Sequence, residues 1–301
     1  MRLVTFKSAG RERVGAITSG GVLDLRDAAA RLGRQLPLTM QGLIDAGPVA
    51  WDLARTLIER CPMEAMRYHV DLRAPLPRPA RLRDVSLFLE HMEAGLAKLG
   101  RVMSPEFKRQ TIYYNADHAH VYGPGDDIAW PRNSHWMDYE LEWACIIGRG
   151  GSNISRSNAM SHIFGFTVFN DWSARDLQFP FMEANLGPAG GKDFANSLGP
   201  CIVTPDELPN LYALRMSATI NGEPWSLGTT ASMHHKWEDA VEQLSVDRPL
   251  LAGEIFGSGT VLDGCGFELD RRLSFGDVVE LEVEGIGVLR NRVVAPTALP
   301  T

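Results

Sequence analysis

Asp138-Tyr-Glu140-Leu-Glu142-Trp-Ala-Cys145-Ile-Ile147-Gly148 alternates acidic with apolar residues and then runs into an unbroken apolar end. Alternation with period two marks a β-strand. On such a strand Asp138, Glu140 and Glu142 share one face, with next-but-one carboxylates roughly 7 Å apart. Like charges that close raise one another's pKa unless something positive lies between them. A hard divalent cation, with its preference for oxygen ligands, is the simplest neutraliser. A solvated edge strand is the competing reading of alternating acids alone; the flanking Trp136 and Trp143-Ala-Cys-Ile-Ile speak against open solvent. A second apolar strand, Ile163 to Asp171, delivers Asn170 and Asp171 at its end, followed by Trp172-Ser-Ala-Arg175-Asp-Leu-Gln178. A third acid emerging there is what an oxygen-only metal site needs.

Outward from this stretch the chain is ordinary in make-up. Its 301 residues suffice for one large domain and a small one. Apolar content of 45% and charged content of 22% suit a soluble globular protein. A net charge of −7 without a basic run argues against nucleic acid as a partner. Met1-Arg-Leu-Val-Thr-Phe-Lys7 reads as a short strand rather than a signal peptide, and no apolar run is long enough to span a membrane. A cytoplasmic protein is expected. Cys61, Cys145, Cys201 and Cys265 are scattered without a CxxC pair, as buried free thiols in a reducing compartment would be. Residues 1 to 26 read as two or three short strands with a turn at Gly20-Gly21, and Asp27–Leu32 and Pro48–Arg60 as helices. The extended, proline-rich Leu72–Leu82 places a domain boundary near residue 75. Residues 1–75 then form a small capping or oligomerising domain, and 76–301 the larger one.

Other side chains are candidates on their chemistry. Asp84 and His91 stand seven apart, so two helical turns would stack them on one face; a lone His on an apolar helix is more often structural. Lys98, Arg101, Lys108 and Arg109 mark a basic amphipathic segment that reads as a lid or as a solvated face. His118 and His120 are too few for a metal site and read as surface residues or as neighbours of the residues that form one. Asn185 to Lys192 superficially has the look of a phosphate loop but fails the pattern at Leu186 and Asp193. It reads instead as a flexible loop that carries the Lys192 ammonium to a substrate. An ion pair with Asp171 at i,i+4 is the plain reading of Arg175. From Pro200 the chain is mostly β: Leu214–Trp225 is a strand meeting an Asn221-Gly222 turn, and Ser274–Val283 closes with a turn and a strand. A helix opens at His234 and runs to about Leu244.

Taken together, Asp138-x-Glu140-x-Glu142, Asn170-Asp-Trp-Ser-Ala-Arg175-Asp-x-Gln178 and Gly191-Lys192-Asp193-Phe194 resemble the fumarylacetoacetate hydrolase family, over about residues 80 to 295. The resemblance implies a mainly β, α+β fold, in which a mixed β-roll catalytic domain follows a small amino-terminal α+β domain. It implies a divalent metal held by four carboxylates, Asp84, Glu140, Glu142 and Asp171, with Asp138 as a neighbour. Mg²⁺ is the favoured ion, with Ca²⁺ and Mn²⁺ as alternatives. An Asp followed seven residues later by a His is the pattern of the family's eukaryotic-type hydrolases and makes His91 the water-activating base. Many bacterial members carry Asn-Tyr-x-x-His-x-x-Glu here; this chain keeps only the His, with Leu87, Phe88 and Ala94 at the other positions. Glu268, in Gly264-Cys-Gly-Phe-Glu268-Leu, matches the acid that partners the base; without the resemblance it reads as a solvated acid at a strand start. By the same resemblance Arg175, Gln178 and Lys192 surround the reacting carbonyl. Thr260 and one of Tyr113 and Tyr114 contact the substrate, the choice of tyrosine being open.

The implied function is metal-dependent hydrolysis of a carbon–carbon bond in a fumarylacetoacetate- or acylpyruvate-like β-diketo acid. The implied assembly is a homodimer, whose partner is that small keto acid and neither nucleic acid nor membrane. Decarboxylation or isomerisation of oxaloacetate-like acids at the same metal is the runner-up. A non-catalytic metabolite-binding protein is the alternative of another class. Decarboxylation needs no water-activating pair, so His91 with Glu268 tips the expectation towards hydrolysis. Acids at all four ligand positions speak against a dead site.

Overall fold

The computed structural model describes residues 1–296. Two sheets carry the fold. Ten strands of the larger, twelve-stranded sheet lie in the order Met66–Arg67, Gly21–Asp24, Arg11–Thr18, Arg2–Ser8, Asn196–Val203, Ile163–Asp171, Leu141–Ile147, Glu254–Gly257, Arg81–Val85, Tyr113–Ala116. Asp71–Arg73 pairs with Arg2–Ser8, and Val121–Tyr122 with Asn196–Val203, to complete it. The smaller sheet has five strands, Glu223–Thr229, Arg215–Ile220, Val278–Val283, Gly287–Val294 and Asp127–Ala129. This is the mainly β, α+β architecture expected, with parallel and antiparallel neighbours mixed.

The strand Leu141–Ile147 explains why its apolar end is unbroken: all seven residues are buried. Leu141, Trp143, Cys145 and Ile147 enter one core, against Met216, Ala218, Val279 and Leu281 of the smaller sheet. Ala144 and Ile146 enter a second core, against Leu25, Ala28, Leu43, Ala54 and Leu57 of the amino-terminal helices. The side chains alternate as a strand requires, but both faces are covered, so no polar alternation survives past Glu142. Trp143 stacks on Phe166 at 4.9 Å between ring centres, with Trp237 edge-on at 5.1 Å.

The amino-terminal strands and helices form close to the expected places, the helices at Leu25–Arg31 and Gly47–Arg60, with a further one at Met40–Asp45. Asp24 starts the first of them by accepting from the Asp27 N–H at 3.0 Å. These residues do not close a core of their own. Arg2–Ser8 pairs with Asn196–Val203 in the large sheet, and Trp51 packs on Phe164 at 5.0 Å. The proline-rich link near residue 75 therefore separates two parts of one sheet. Among the described residues no helix is long and apolar enough to cross a membrane.

Candidate active site

Neighbouring strands of the large sheet bring the acids to one place. Asp171 ends Ile163–Asp171, and Glu142 lies near the start of the adjoining Leu141–Ile147, where Leu141 pairs with Asn170. On the other side, Ala144 pairs with Gly257, and Gly257 pairs with Asp84. Carboxylate oxygens of Asp84, Glu142 and Asp171 lie within 4.8 Å of one another. Asp84 thus sits on a strand, Arg81–Val85, and not on the helix of His91, which begins only at Leu89. The expected stacking of the two on one helix is replaced by parallel pairing of Asp84 with the strand Glu254–Gly257.

Charges along this face follow an order. Arg175 lies between Asp138 and Glu140, at 2.8 Å from each. Lys192 lies between Glu140 and Asp171, at 2.6 Å from each. Beyond it, among the described residues, no Lys or Arg reaches salt-bridge distance of Glu142 or Asp84. Among the described residues their neutral donors include the Gly259 N–H, to Glu142 Oε2 at 2.9 Å and Asp84 Oδ1 at 3.1 Å, and the Thr260 hydroxyl, to Glu142 Oε1 at 3.2 Å. Burial therefore pushes Asp84 up to about 6 and Asp171 up to about 7. Glu142 rises well above its usual range through burial and the charges of Asp84 and Asp171. Glu140 goes the other way: burial acts against its charge, but Lys192 and Arg175 outweigh burial and hold it well below the carboxylate range.

Three mutually repelling carboxylates, Glu142 and Asp171 buried and Asp84 half-buried at the cavity, fit a divalent cation. One oxygen, Asp171 Oδ1, is buried without any hydrogen-bond partner, and an all-oxygen set suits Mg²⁺, Ca²⁺ or Mn²⁺. Glu140, expected as the fourth ligand, gives one oxygen to Arg175 and the other to Lys192 and stands beside this set.

Arg175 also departs from expectation. Asp171 precedes the helix Arg175–Glu183, so the i,i+4 geometry does not apply and no ion pair forms between them. Its guanidinium binds Asp138, Glu140 and Gln178 Oε1 and is fully enclosed by them, one layer behind the cavity rather than at a reacting carbonyl. Gln178 and Lys192 do reach the cavity wall. Lys192 is held close rather than on a free loop. A side chain at Gly191 would meet the Ala174 carbonyl at 2.6 Å, so only glycine lets this segment pack against the Arg175 helix. The ammonium has three donors and uses two on Glu140 and Asp171, leaving one for a ligand.

His91 Nδ1 lies 2.8 Å from Glu268 Oε2. Glu268 is buried on a short helix, Gly266–Leu269, not at a strand start. His91 lines a cavity of about 610 Å³ together with Asp84, Glu140, Gln178, Lys192, Thr260 and both tyrosines. Tyr114 donates to Asp171 Oδ2 at 2.6 Å, whereas the Tyr113 hydroxyl accepts from Arg248 at 2.9 Å. Thr260, expected at the substrate, has its hydroxyl on Glu142. His118 and His120 lie outside the cavity.

Two contributors escape a reading by residue type. Asp138 accepts the N–H groups of Gly266 and Phe267, at 2.8 and 3.0 Å, and so fixes the helix that carries Glu268. Gly259 bridges the Asp84 and Glu142 carboxylates through its backbone N–H, at φ +75° and with the Val85 carbonyl 2.7 Å from where a Cβ would stand. The Gly257-Ser-Gly259-Thr260 run after an apolar strand is the signal that a close backbone approach occurs there.

Residues 88–294 match the family model described as fumarylacetoacetate (FAA) hydrolase C-terminal. The sequence is 32% identical to the mitochondrial oxaloacetate tautomerase Fahd2a of Rattus norvegicus, across 98% of this chain and 92% of that protein. The fumarylacetoacetate hydrolase (EaFAH) of the psychrophilic Exiguobacterium antarcticum superposes with a TM-score of 0.76 at 26% identity, over 98% of this chain and 99% of that one. Maleylpyruvate hydrolase from Sphingobium sp. SYK-6, in complex with manganese (II) ion and pyruvate, shares the fold with a TM-score of 0.76 at 20% identity, over 99% and 100% of the two chains. With the matched segment covering the acids, the Lys192 loop and the His91–Glu268 pair save Asp84, the chain belongs to the fumarylacetoacetate hydrolase family.

Proposed function

We propose that the chain is a divalent-metal-dependent hydrolase that cleaves a carbon–carbon bond in an acylpyruvate-like 1,3-dicarbonyl acid. The observation that carries this is the His91–Glu268 pair on the wall of a cavity that also exposes Asp84 and Lys192. A divalent ion held by Asp84, Glu142 and Asp171, with Glu140 beside them, would supply Lewis-acid polarisation of two chelated substrate oxygens. The manganese of the maleylpyruvate hydrolase supports an ion of that class. Glu268 binds His91 at Nδ1, which sets the tautomer and leaves Nε2 as the basic nitrogen. Nε2 takes a proton from water, and Glu268 stabilises the imidazolium that results. The third Lys192 N–H and the Gln178 amide donate to the oxygen that gains charge as the hydroxide adds. His91 then returns its proton to the departing carbon.

Much of the remaining wall is apolar, from Phe88, Met92, Phe107, Ile112 and Met182, and Lys192 is its one Lys or Arg among the described residues. An apolar acyl group fits such a wall, whereas a second carboxylate would find no cation there. The second reading is an oxaloacetate tautomerase, favoured by the likeness to the rat enzyme of that name over nearly the whole chain. There His91 would move a proton between carbon and oxygen without water.

Rates on an alkyl acylpyruvate and on oxaloacetate, for wild type and His91→Ala, separate the two. The hydrolase reading expects acylpyruvate cleavage that falls about 10²–10⁴-fold in His91→Ala. A wild type that tautomerises oxaloacetate and leaves acylpyruvates intact overturns it in favour of the second reading.

A further inference from the structure

A second cluster of ligating side chains lies beside the acids. A ring nitrogen of His91, Cys265 Sγ and a Glu268 oxygen are within 4.8 Å of one another, the latter two residues buried. Glu268 Oε2 is 2.8 Å from His91 Nδ1 and 3.4 Å from Cys265 Sγ, while Glu268 Oε1 is buried with no partner. Imidazole nitrogen, thiol sulfur and carboxylate oxygen at one point form a donor set unlike the all-oxygen set beside it. Zinc binds such ligands at ~2.0–2.3 Å in a tetrahedron and keeps its fourth position for water. A hard ion such as Mg²⁺ has little use for the sulfur.

We propose that His91, Cys265 and Glu268 form an inhibitory site for Zn²⁺ and similar soft-tolerant divalent ions, distinct from the carboxylate site. Binding forms N–metal, S–metal and O–metal bonds without electron transfer. The Cys265 thiol gives its proton to solvent, and the Nδ1 proton moves to Nε2. With Nδ1 on the metal, Nε2 carries hydrogen and no longer accepts a proton. The metal thus occupies the one face of the ring that Glu268 needs and removes the base in the same step. Access runs past His91, whose side chain is 15% exposed at the cavity. Metal binding at this site stands on the ligand geometry alone; the inhibition it causes rests on His91 being the base.

The test uses full-length enzyme saturated with Mg²⁺, with Co²⁺ as a spectroscopic stand-in for Zn²⁺. Wild type should develop a thiolate-to-cobalt absorption band in the near ultraviolet that Cys265→Ala and Cys265→Ser both lack. Zn²⁺ should inhibit wild type in excess Mg²⁺, and each variant should need at least about ten-fold more Zn²⁺ for the same inhibition, since one of three protein ligands is gone. Both variants should keep the Mg²⁺-dependent rise in melting temperature, which shows an intact fold and carboxylate site. Absence of the band in wild type, or a band and Zn²⁺ sensitivity unchanged in the Cys265 variants, overturns the proposal; the latter would place the ion on another thiol or on the carboxylates. A Cys265-dependent band without inhibition supports the site and instead removes His91 from the role of base.

Discussion

The three-acid cluster makes the metal-free protein sensitive to pH in a direction that can be worked out. Burial raises Asp171 from 3.8 to about 7 and Asp84 from 3.8 to about 6, Lys192 opposing the rise at both, and neighbouring carboxylates adding to it. A folded-state pKa above the unfolded value contributes stability that is present at low pH and lost as the pH rises through the folded value. Between about pH 5.5 and pH 8, at 1.36 kcal/mol per unit, Asp171 accounts for a loss on the order of 2 kcal/mol and Asp84 for a smaller one, on the order of 1 kcal/mol. The acids titrate as a set, so the fall is spread across this window rather than stepped. At roughly 2 °C per kcal/mol for a chain of this size, the melting temperature of chelator-treated protein should drop by about 5 °C. A divalent ion replaces the missing protons: at a hundred times its Kd it returns about 2.7 kcal/mol, and more of that is available at pH 8 than at pH 5.5, where protons compete. Asp171→Asn removes the largest resolved part of the titration, so its metal-free melting temperature should fall less over the same range, and its response to metal should shrink. Differential scanning fluorimetry at the two pH values, with chelator and with Mg²⁺ or Mn²⁺, measures all of this, and the difference from Asp171→Asn cancels the histidines. A metal-free wild type that is flat or gains stability with pH relative to Asp171→Asn would refute the reasoning, as would a metal shift equal at both pH values.

Two further expectations follow from neighbouring contacts. Asp138→Ala leaves the enclosed Arg175 with one carboxylate fewer and frees the helix of Glu268; breaking one side of a buried pair costs about 3–5 kcal/mol, read as a lowered urea midpoint together with weakened hydrolysis. A homodimer, suggested by the family resemblance, is checked by light scattering at micromolar concentration, where a monomer would remove that expectation.

The acids were legible as a group because a period of two is visible in eleven letters, although the one strand expected there is split: Asp138 lies on Met137–Asp138, Glu142 on Leu141–Ile147 of the large sheet, and Glu140 between them makes an isolated bridge to Cys265. Asp171 was legible for a similar reason, as a charge at the end of an apolar run. What the sequence did not show was which carboxylate meets which cation. Arg175 and Lys192 lie 37 and 52 residues from Asp138 and Glu140 respectively, and their pairing is decided by the strand Met137–Asp138 lying against Ser173–Ala174 and by the tight seat of Gly191. Spacing misled at Asp84 and His91, because seven residues fit two helical turns as well as they fit a strand, a three-residue link and a helix start. The proline-rich link near residue 75 is a separate matter. Prolines at 75, 77 and 79 do interrupt secondary structure, yet sheet pairing is non-local, and Arg2–Ser8 finds its partner almost two hundred residues away. Gly259 acts through its backbone, which no side-chain pattern reports.

The interleaving of charge has a consequence for how one site can serve related reactions. From Asp138 to Asp171 each cation is shared by two acids, so most of the charge in this half of the row is paired. Towards Asp84 and Glu142 the acids outnumber the cations, and under the proposed function a divalent ion held there with Asp171 would polarise the oxygens of a 2-oxo acid. That half is common to hydrolysis and to tautomerisation, since each begins by drawing electrons towards the chelated carbonyl. The difference has to arise elsewhere: in whether His91 meets water or a carbon-bound proton, and in what the remaining wall accepts. Phe88, Met92, Phe107, Ile112 and Met182 exclude charge but not volume, and the cavity of about 610 Å³ leaves room for an acyl group and a water side by side. A small dicarboxylate would leave much of that wall uncovered and its second charge unpaired, which is why the proposed function takes a longer, singly charged acid as the substrate.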